Sequence, residues 1–139
     1  MANLQAIGTM AGRVIQARNN PVARGHYISI YATGAGPIPG APADGNVSAN
    51  LVSTPGPPSI LIGTCFVDDD CGNNPADTVP PGKRVQFSGL SPSYPGVWQI
   101  NVYVPQSVAP SSAAGPTAVD IIYNNSPAWS ANSPQRTFI

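Results

Sequence analysis

The chain has 139 residues, no Glu and a single Lys; 9% of its residues are charged and the formal net charge is zero, against about 25% charged in an ordinary soluble domain. That composition excludes long charged helices and the basic stripe that nucleic-acid binding needs, and it leaves little repulsion between copies. Seventeen Pro, fourteen Gly and 42% hydrophobic residues point to short strands between turns, in one domain large enough to bury its own core.

In chain order, NLQAIG (3–8) reads as a first strand or an arm, so residues 1–11 are assigned to an N-terminal arm or strand and 12–139 to a single β-sandwich domain. GRVIQA (12–17) is a short strand ended by the turn signal RNNP (18–21). GHYISIYATG (25–34) alternates, with Ile28, Ile30 and Ala32 on one side and Tyr27, Ser29 and Tyr31 on the other. AGPIPGAPADGNVSAN (35–50) has no period and is a loop, long for a compact domain. PSILIGTCFV (58–67) is apolar on both faces, which fits one buried strand. DDDCGNNPADTVPPG (68–82) is a second long loop and KRVQFSG (83–89) a strand.

LSPSYPG (90–96) is a turn in which Pro92 and Pro95 fix φ, with Gly89 just before it and Gly96 at its end free to take a positive one. VWQINVYVP (97–105) is the strongest strand: Trp98, Ile100, Val102 and Val104 point one way, Gln99, Asn101 and Tyr103 the other. It ends at Pro105, which has no amide to donate to a ladder. After the loop SVAPSSAAGP (107–116) come the strand TAVDIIYNN (117–125), a connection SPAWSANS (126–133) and a last strand PQRTFI (134–139). No segment shows a helical period or transmembrane length, so membrane insertion is not expected, and no secretory signal is read in MANLQAIGTMAG.

Seven or eight strands at this spacing predict an all-β, two-sheet antiparallel sandwich with long Pro/Gly-rich loops. The expected core is Ile28, Ile30, Ile60, Ile62 and Phe87 together with Trp98, Ile100, Val102, Val104 and Ile121. Burying one such side chain contributes about 1.5–3 kcal/mol. Cys65 and Cys71 are isolated and close in sequence, so a disulfide is expected, with free thiols in a reducing compartment as the alternative. A zinc site would need two more ligands, and His26, the one histidine, is far away in sequence.

Asp68, Asp69, Asp70 and Asp77 gather four of the six acids in one loop. Calcium takes oxygen ligands of this kind, which makes them its candidates, although the EF-hand spacing and a closing Glu are lacking. The bland reading is a solvated turn; a third is pairing with Arg or Lys83 of a neighbouring copy. Tyr27, Tyr31 and Tyr103, opposite the core face of their strands, and Trp129, in a polar loop, are the candidate contact residues for sugar rings or a protein partner; the alternatives are half-buried cross-strand pairing or a subunit contact for the tyrosines and a lid on the core for Trp129. No nucleophile–base set is legible: one His, no Glu and no Gly-x-Ser-x-Gly, and adjacent acids on one loop cannot flank a substrate, so no catalytic residue is assigned. Asn46-Val47-Ser48 and Asn124-Asn125-Ser126 match the N-glycosylation pattern.

GHYISIYATGAG and VQFSGLSPSYPGVWQINVYVP resemble, in order and separation, two motifs of the Solibacter-type C-terminal domain, an uncharacterised module of secreted and surface proteins of acidobacteria. TAVDIIYNN with RTFI fits its closing hairpin, so the resemblance runs from about residue 12 to 139. It implies an extracellular or cell-surface, immunoglobulin-like β-sandwich with no assigned catalysis. The insertion CFVDDDCGNNPADTVPPGK departs from the family pattern. The expected function is a non-catalytic extracellular structural or interaction module. It would bind copies of itself, with NLQAIG or QRTFI as an exchanged strand and a filament as one product. The alternative is a monomeric adhesion module for surface glycans or another extracellular protein. No cofactor is expected beyond the calcium candidates.

Overall fold

The strand at 98–103 sets the order of the others. Its alternation leaves Trp98, Ile100 and Val102 buried, with Gln99 and Asn101 half-exposed between them. The computed structural model describes residues 22–109 and 117–123, together with strand backbone at 5–10, 13–16, 126–127 and 137–138. The strands are β1 (Gln5–Met10), β2 (Arg13–Gln16), β3 (Tyr27–Ala32), β4 (Ser59–Ile62) and β5 (Cys65–Phe66), followed by β6 (Val85–Leu90), β7 (Trp98–Tyr103), β8 (Ala118–Tyr123), β9 (Ser126–Pro127) and β10 (Thr137–Phe138).

Every pairing is antiparallel. One sheet runs β2-β1-β3-β7-β6; the other runs β10-β8-β4-β5, with β9 beside β8. Among the described residues there is no helix, and so none long and apolar enough to cross a membrane. The core joins the two sheets. Ile28, Ile30, Trp98, Ile100 and Val102 from the first pack with Ile60, Ile62, Val119 and Ile121 from the second, with Val104 and Val67 closing one end. This is an all-β sandwich whose described side chains come from three strands of each sheet, β3, β7 and β6 against β4, β5 and β8.

Three expectations change. Gly89 does not take a positive φ but lies within β6, and of the two turn glycines only Gly96 does, at φ +68°. The segment 58–67 is not one strand: Gly63, at φ +66°, turns the chain so that β4 and β5 pair as a hairpin, Leu61 opposite Phe66 and Ile62 opposite Cys65. Phe87 is not core. A bulge between Val85 and Phe87 sets Val85 opposite Val102 and Phe87 opposite Asn101, which moves the Phe ring to the outer face of the sheet. The first strand is β1, which lies between β2 and β3 of its own chain, and β10 likewise pairs with β8 of its own chain.

Cys65 and Cys71 form the expected disulfide. The loop it closes is short, so replacing both cysteines by Ala is expected to lower stability by about 2 kcal/mol. The sandwich should survive, because a few buried core side chains at about 1.5–3 kcal/mol each outweigh the bridge. Denaturant midpoints of the two forms measure this, and loss of cooperative unfolding in the double variant would contradict it.

Candidate functional site

The acidic loop folds around a buried arginine. Arg84, at the entry to β6, is fully buried. Its Nε donates to the Val79 carbonyl at 3.1 Å and its Nη1 to the Val67 carbonyl at 2.8 Å. Its Nη2 donates to the Gly72 carbonyl and to Asp77 Oδ2, both at 2.9 Å. Four of the five guanidinium N–H groups are thus satisfied by one loop, which is what a charge needs when it leaves water. Asp77 is equally enclosed. Its Oδ1 accepts from the Gln106 amide at 2.8 Å and the Tyr103 hydroxyl at 3.2 Å.

The remaining acids are also drawn into backbone contacts. Asp68 accepts from the amides of Arg84 (2.7 Å) and Val85 (3.1 Å), one with each carboxylate oxygen. Asp70 accepts from the Phe66 amide, and Asp69 is left exposed. No three of Asp68, Asp69, Asp70 and Asp77 bring carboxylate oxygens within 4.8 Å of one another, so they form no ready calcium position. Asp77 pairs with Arg84 of its own chain rather than with Arg or Lys83 of a neighbour. Cys65, Asp70 and Cys71 bring three possible ligand atoms within 4.8 Å, but both sulfurs are joined to each other.

A second fastening holds residues 52–56 along β6. The Thr54 amide donates to the Ser88 carbonyl and the Leu90 amide to the Val52 carbonyl, each at 2.8 Å. Beneath it, Trp98 Nε1 donates to Ser88 Oγ at 2.9 Å, and that hydroxyl lies 2.7 Å from Thr54 Oγ1. The strap sits so close that a Cβ on Gly89 would fall 2.1 Å from the Val52 carbonyl oxygen and 2.9 Å from Ser53 Cα. Asp68 and the strap together occupy the Val85 amide, the Ser88 carbonyl and the Leu90 amide along the outer side of β6.

The outer face of the larger sheet carries the tyrosines. Tyr27 and Tyr103 face each other in register and meet edge to face at 5.4 Å between ring centroids. Tyr31 meets Tyr94 in the same manner at 5.6 Å. Between the pairs runs a polar row, in which Ser29 Oγ and Gln99 Nε2 both donate to Asn101 Oδ1, at 2.9 and 3.0 Å. Burial first, and Tyr94 second, hold the Tyr31 phenol above its ordinary range, so it stays neutral at physiological pH.

Of the expected contact residues, Tyr27 is exposed (39%) and Tyr31 half-buried. Tyr103 is corrected: it lies on the outer face as its alternation predicts, but the 68–82 loop covers it, and its hydroxyl donates to Asp77 and accepts from the Thr78 amide at 3.1 Å. Trp129 lies outside the described residues. Tyr94, exposed at 49%, joins this face from the turn before β7 and was not anticipated. His26 is exposed at the start of β3, with Nδ1 3.4 Å from the Arg24 carbonyl. Comparison with protein-family models, curated proteins and solved structures finds no match to the chain.

Proposed function

We propose that this chain is a non-catalytic extracellular contact module of immunoglobulin-like form, which associates with copies of itself through the β2 edge of its larger sheet. The observation that carries the reading is the contrast between that sheet's two edges. Along β6 the Asp68 carboxylate and the 52–54 strap take up outward backbone groups. Among the described residues β2 pairs with β1 alone. An unpaired edge is a template for another strand, and proteins that have no use for one cover it, as this chain covers β6. Zero net charge lets copies approach. The disulfide accords with an oxidising compartment, and the two motifs similar to the Solibacter-type C-terminal domain accord with a secreted sandwich. Growth into a filament would need a second contact, for which the terminal segments are the candidates.

Single Val14→Pro and Ile15→Pro variants test the edge. Outward amides alternate along an edge strand, so one of the two prolines removes a group the β1 ladder does not use. That variant is expected to keep its thermal midpoint while losing the larger species seen by light scattering and negative-stain imaging. Unchanged assembly in both variants would refute the edge contact.

A second reading, a monomeric glycan- or protein-binding module, is favoured by the exposed Tyr27 and Tyr94 rings flanking the Ser29–Asn101–Gln99 row. A monodisperse particle near the chain mass of 14.3 kDa would select it over the first.

A further inference from the structure

The loop between β3 and the strap holds a feature that neither the core nor the contact surfaces use. From Asp44 to Ser48 it reads Asp-Gly-Asn-Val-Ser. Asn46-Val47-Ser48 is an N-glycosylation acceptor pattern. One class of single-subunit oligosaccharyltransferase demands more, an acid two residues before the acceptor, a carboxylate that a guanidinium can hold in a charge-assisted pair. Asp44 stands at that position. The chain's other sequon, Asn124-Asn125-Ser126, has Ile122 there.

The structure presents the first sequon as a substrate must be presented. The Asn46 amide donates to the Ala43 carbonyl at 3.1 Å, closing a turn in which Gly45 takes φ +83°. Asp44, Gly45, Asn46 and Val47 are all exposed, Val47 at 46%. Among the described residues the carboxamide of Asn46 and the carboxylate of Asp44 meet no hydrogen-bond partner, and the Ser48 hydroxyl donates only to the Asn50 carbonyl. The hydrogen bonds of residues 38–50 are local to the loop. Its anchor is Ile38, buried at 8% exposure, several residues before the sequon. Ser48 is half-buried, but an enzyme can draw the five residues into its own site without breaking a hydrogen bond to the sandwich.

We propose that Asn46 is an N-glycan acceptor of the extended, acid-dependent type, modified on the folded protein. The co-substrate is an oligosaccharide on a lipid pyrophosphate. Asn46 Nδ2 attacks C1 of the first sugar, and the bond from C1 to the phosphate oxygen breaks. The lipid pyrophosphate leaves with the electron pair, and Nδ2 gives up one proton, leaving a neutral N-glycosidic amide. The loop that carries Asn46 leads from β3 into the strap beside β6, and among the described residues none of its hydrogen bonds reaches β2. The site is thus compatible with association through β2 and does not depend on it.

The full chain, folded and urea-unfolded, is incubated with an acid-requiring single-subunit oligosaccharyltransferase and a lipid-pyrophosphate oligosaccharide, then read by intact mass and peptide mapping. The folded chain is expected to gain one glycan, at Asn46, with Asn124 unoccupied. Asn46→Gln should gain none, and Asp44→Ala should lose at least about tenfold in rate, the worth of one charge-assisted pair. Glycan on the unfolded chain alone, on neither form, at Asn124 in preference, or at an undiminished rate in Asp44→Ala would overturn the proposal.

Discussion

Replacing Arg84 with Ala is expected to lower the unfolding free energy by about 3–5 kcal/mol, the range for breaking one side of a buried ion pair. The change removes four hydrogen bonds at once and leaves the Val67, Gly72 and Val79 carbonyls without their donor. It also leaves the enclosed Asp77 carboxylate without its countercharge. The loop 68–82 should loosen, and with it the cover over Tyr103. Arg84→Lys keeps the charge but not the fork that reaches several acceptors, so it should recover part of the loss only. Adding Asp77→Ala to Arg84→Ala should restore some stability, because the stranded charge goes with it. Urea denaturation of the four proteins measures all of this. A loss below about 1 kcal/mol in Arg84→Ala, the size of an ordinary surface change, would mean that the loop is held by something else.

Gly89→Ala is expected to destabilise by about 3 kcal/mol, at the upper end for overpacking one methyl into a filled site. The added carbon meets the tip of the Phe87 ring at 2.8 Å, which can swing away, but also backbone that cannot, the Val52 carbonyl oxygen and Ser53 Cα. Either β6 or the strap must therefore move. If the strap moves, the Ser88 carbonyl and the Leu90 amide lose their partners and β6 becomes an open edge. The variant should then aggregate on warming where the parent does not. Gly56→Ala is the control, since a Cβ there meets nothing within 4 Å and its φ is unremarkable for an L residue; it should stay within about 0.5 kcal/mol of the parent. Equal melting behaviour of the two variants would refute the strap's role.

What the sequence revealed follows from which signals are local. The alternation from Trp98 to Tyr103 placed one buried face correctly because side-chain direction in a strand depends on the strand itself. The Cys65–Cys71 pair was legible for the same reason, being six residues apart. Phe87 was misplaced because the bulge that turns it outward depends on how β6 meets β7, and VQF by itself carries no mark of it. The hairpin inside 58–67 was hidden because both faces are apolar, and Gly63-Thr64 lacks the Asn-Gly signature of a two-residue turn. Tyr103 was given the right face and the wrong environment, since its cover arrives from Asp77 and Thr78, more than twenty residues earlier. Arg84 was passed over as one of five arginines. The available signal was that it follows a loop holding four of the six acids in a chain otherwise poor in charge.

The covered flank of the five-stranded sheet has a consequence for counting. With β6 covered, the larger sheet cannot pass the proposed β2 contact on through its other edge. In that proposed contact two β2 strands meet each other, antiparallel and related by a two-fold axis, and it is complete once made. Species built on it should fall on even multiples of 14.3 kDa, with trimers and pentamers missing from the mass distribution.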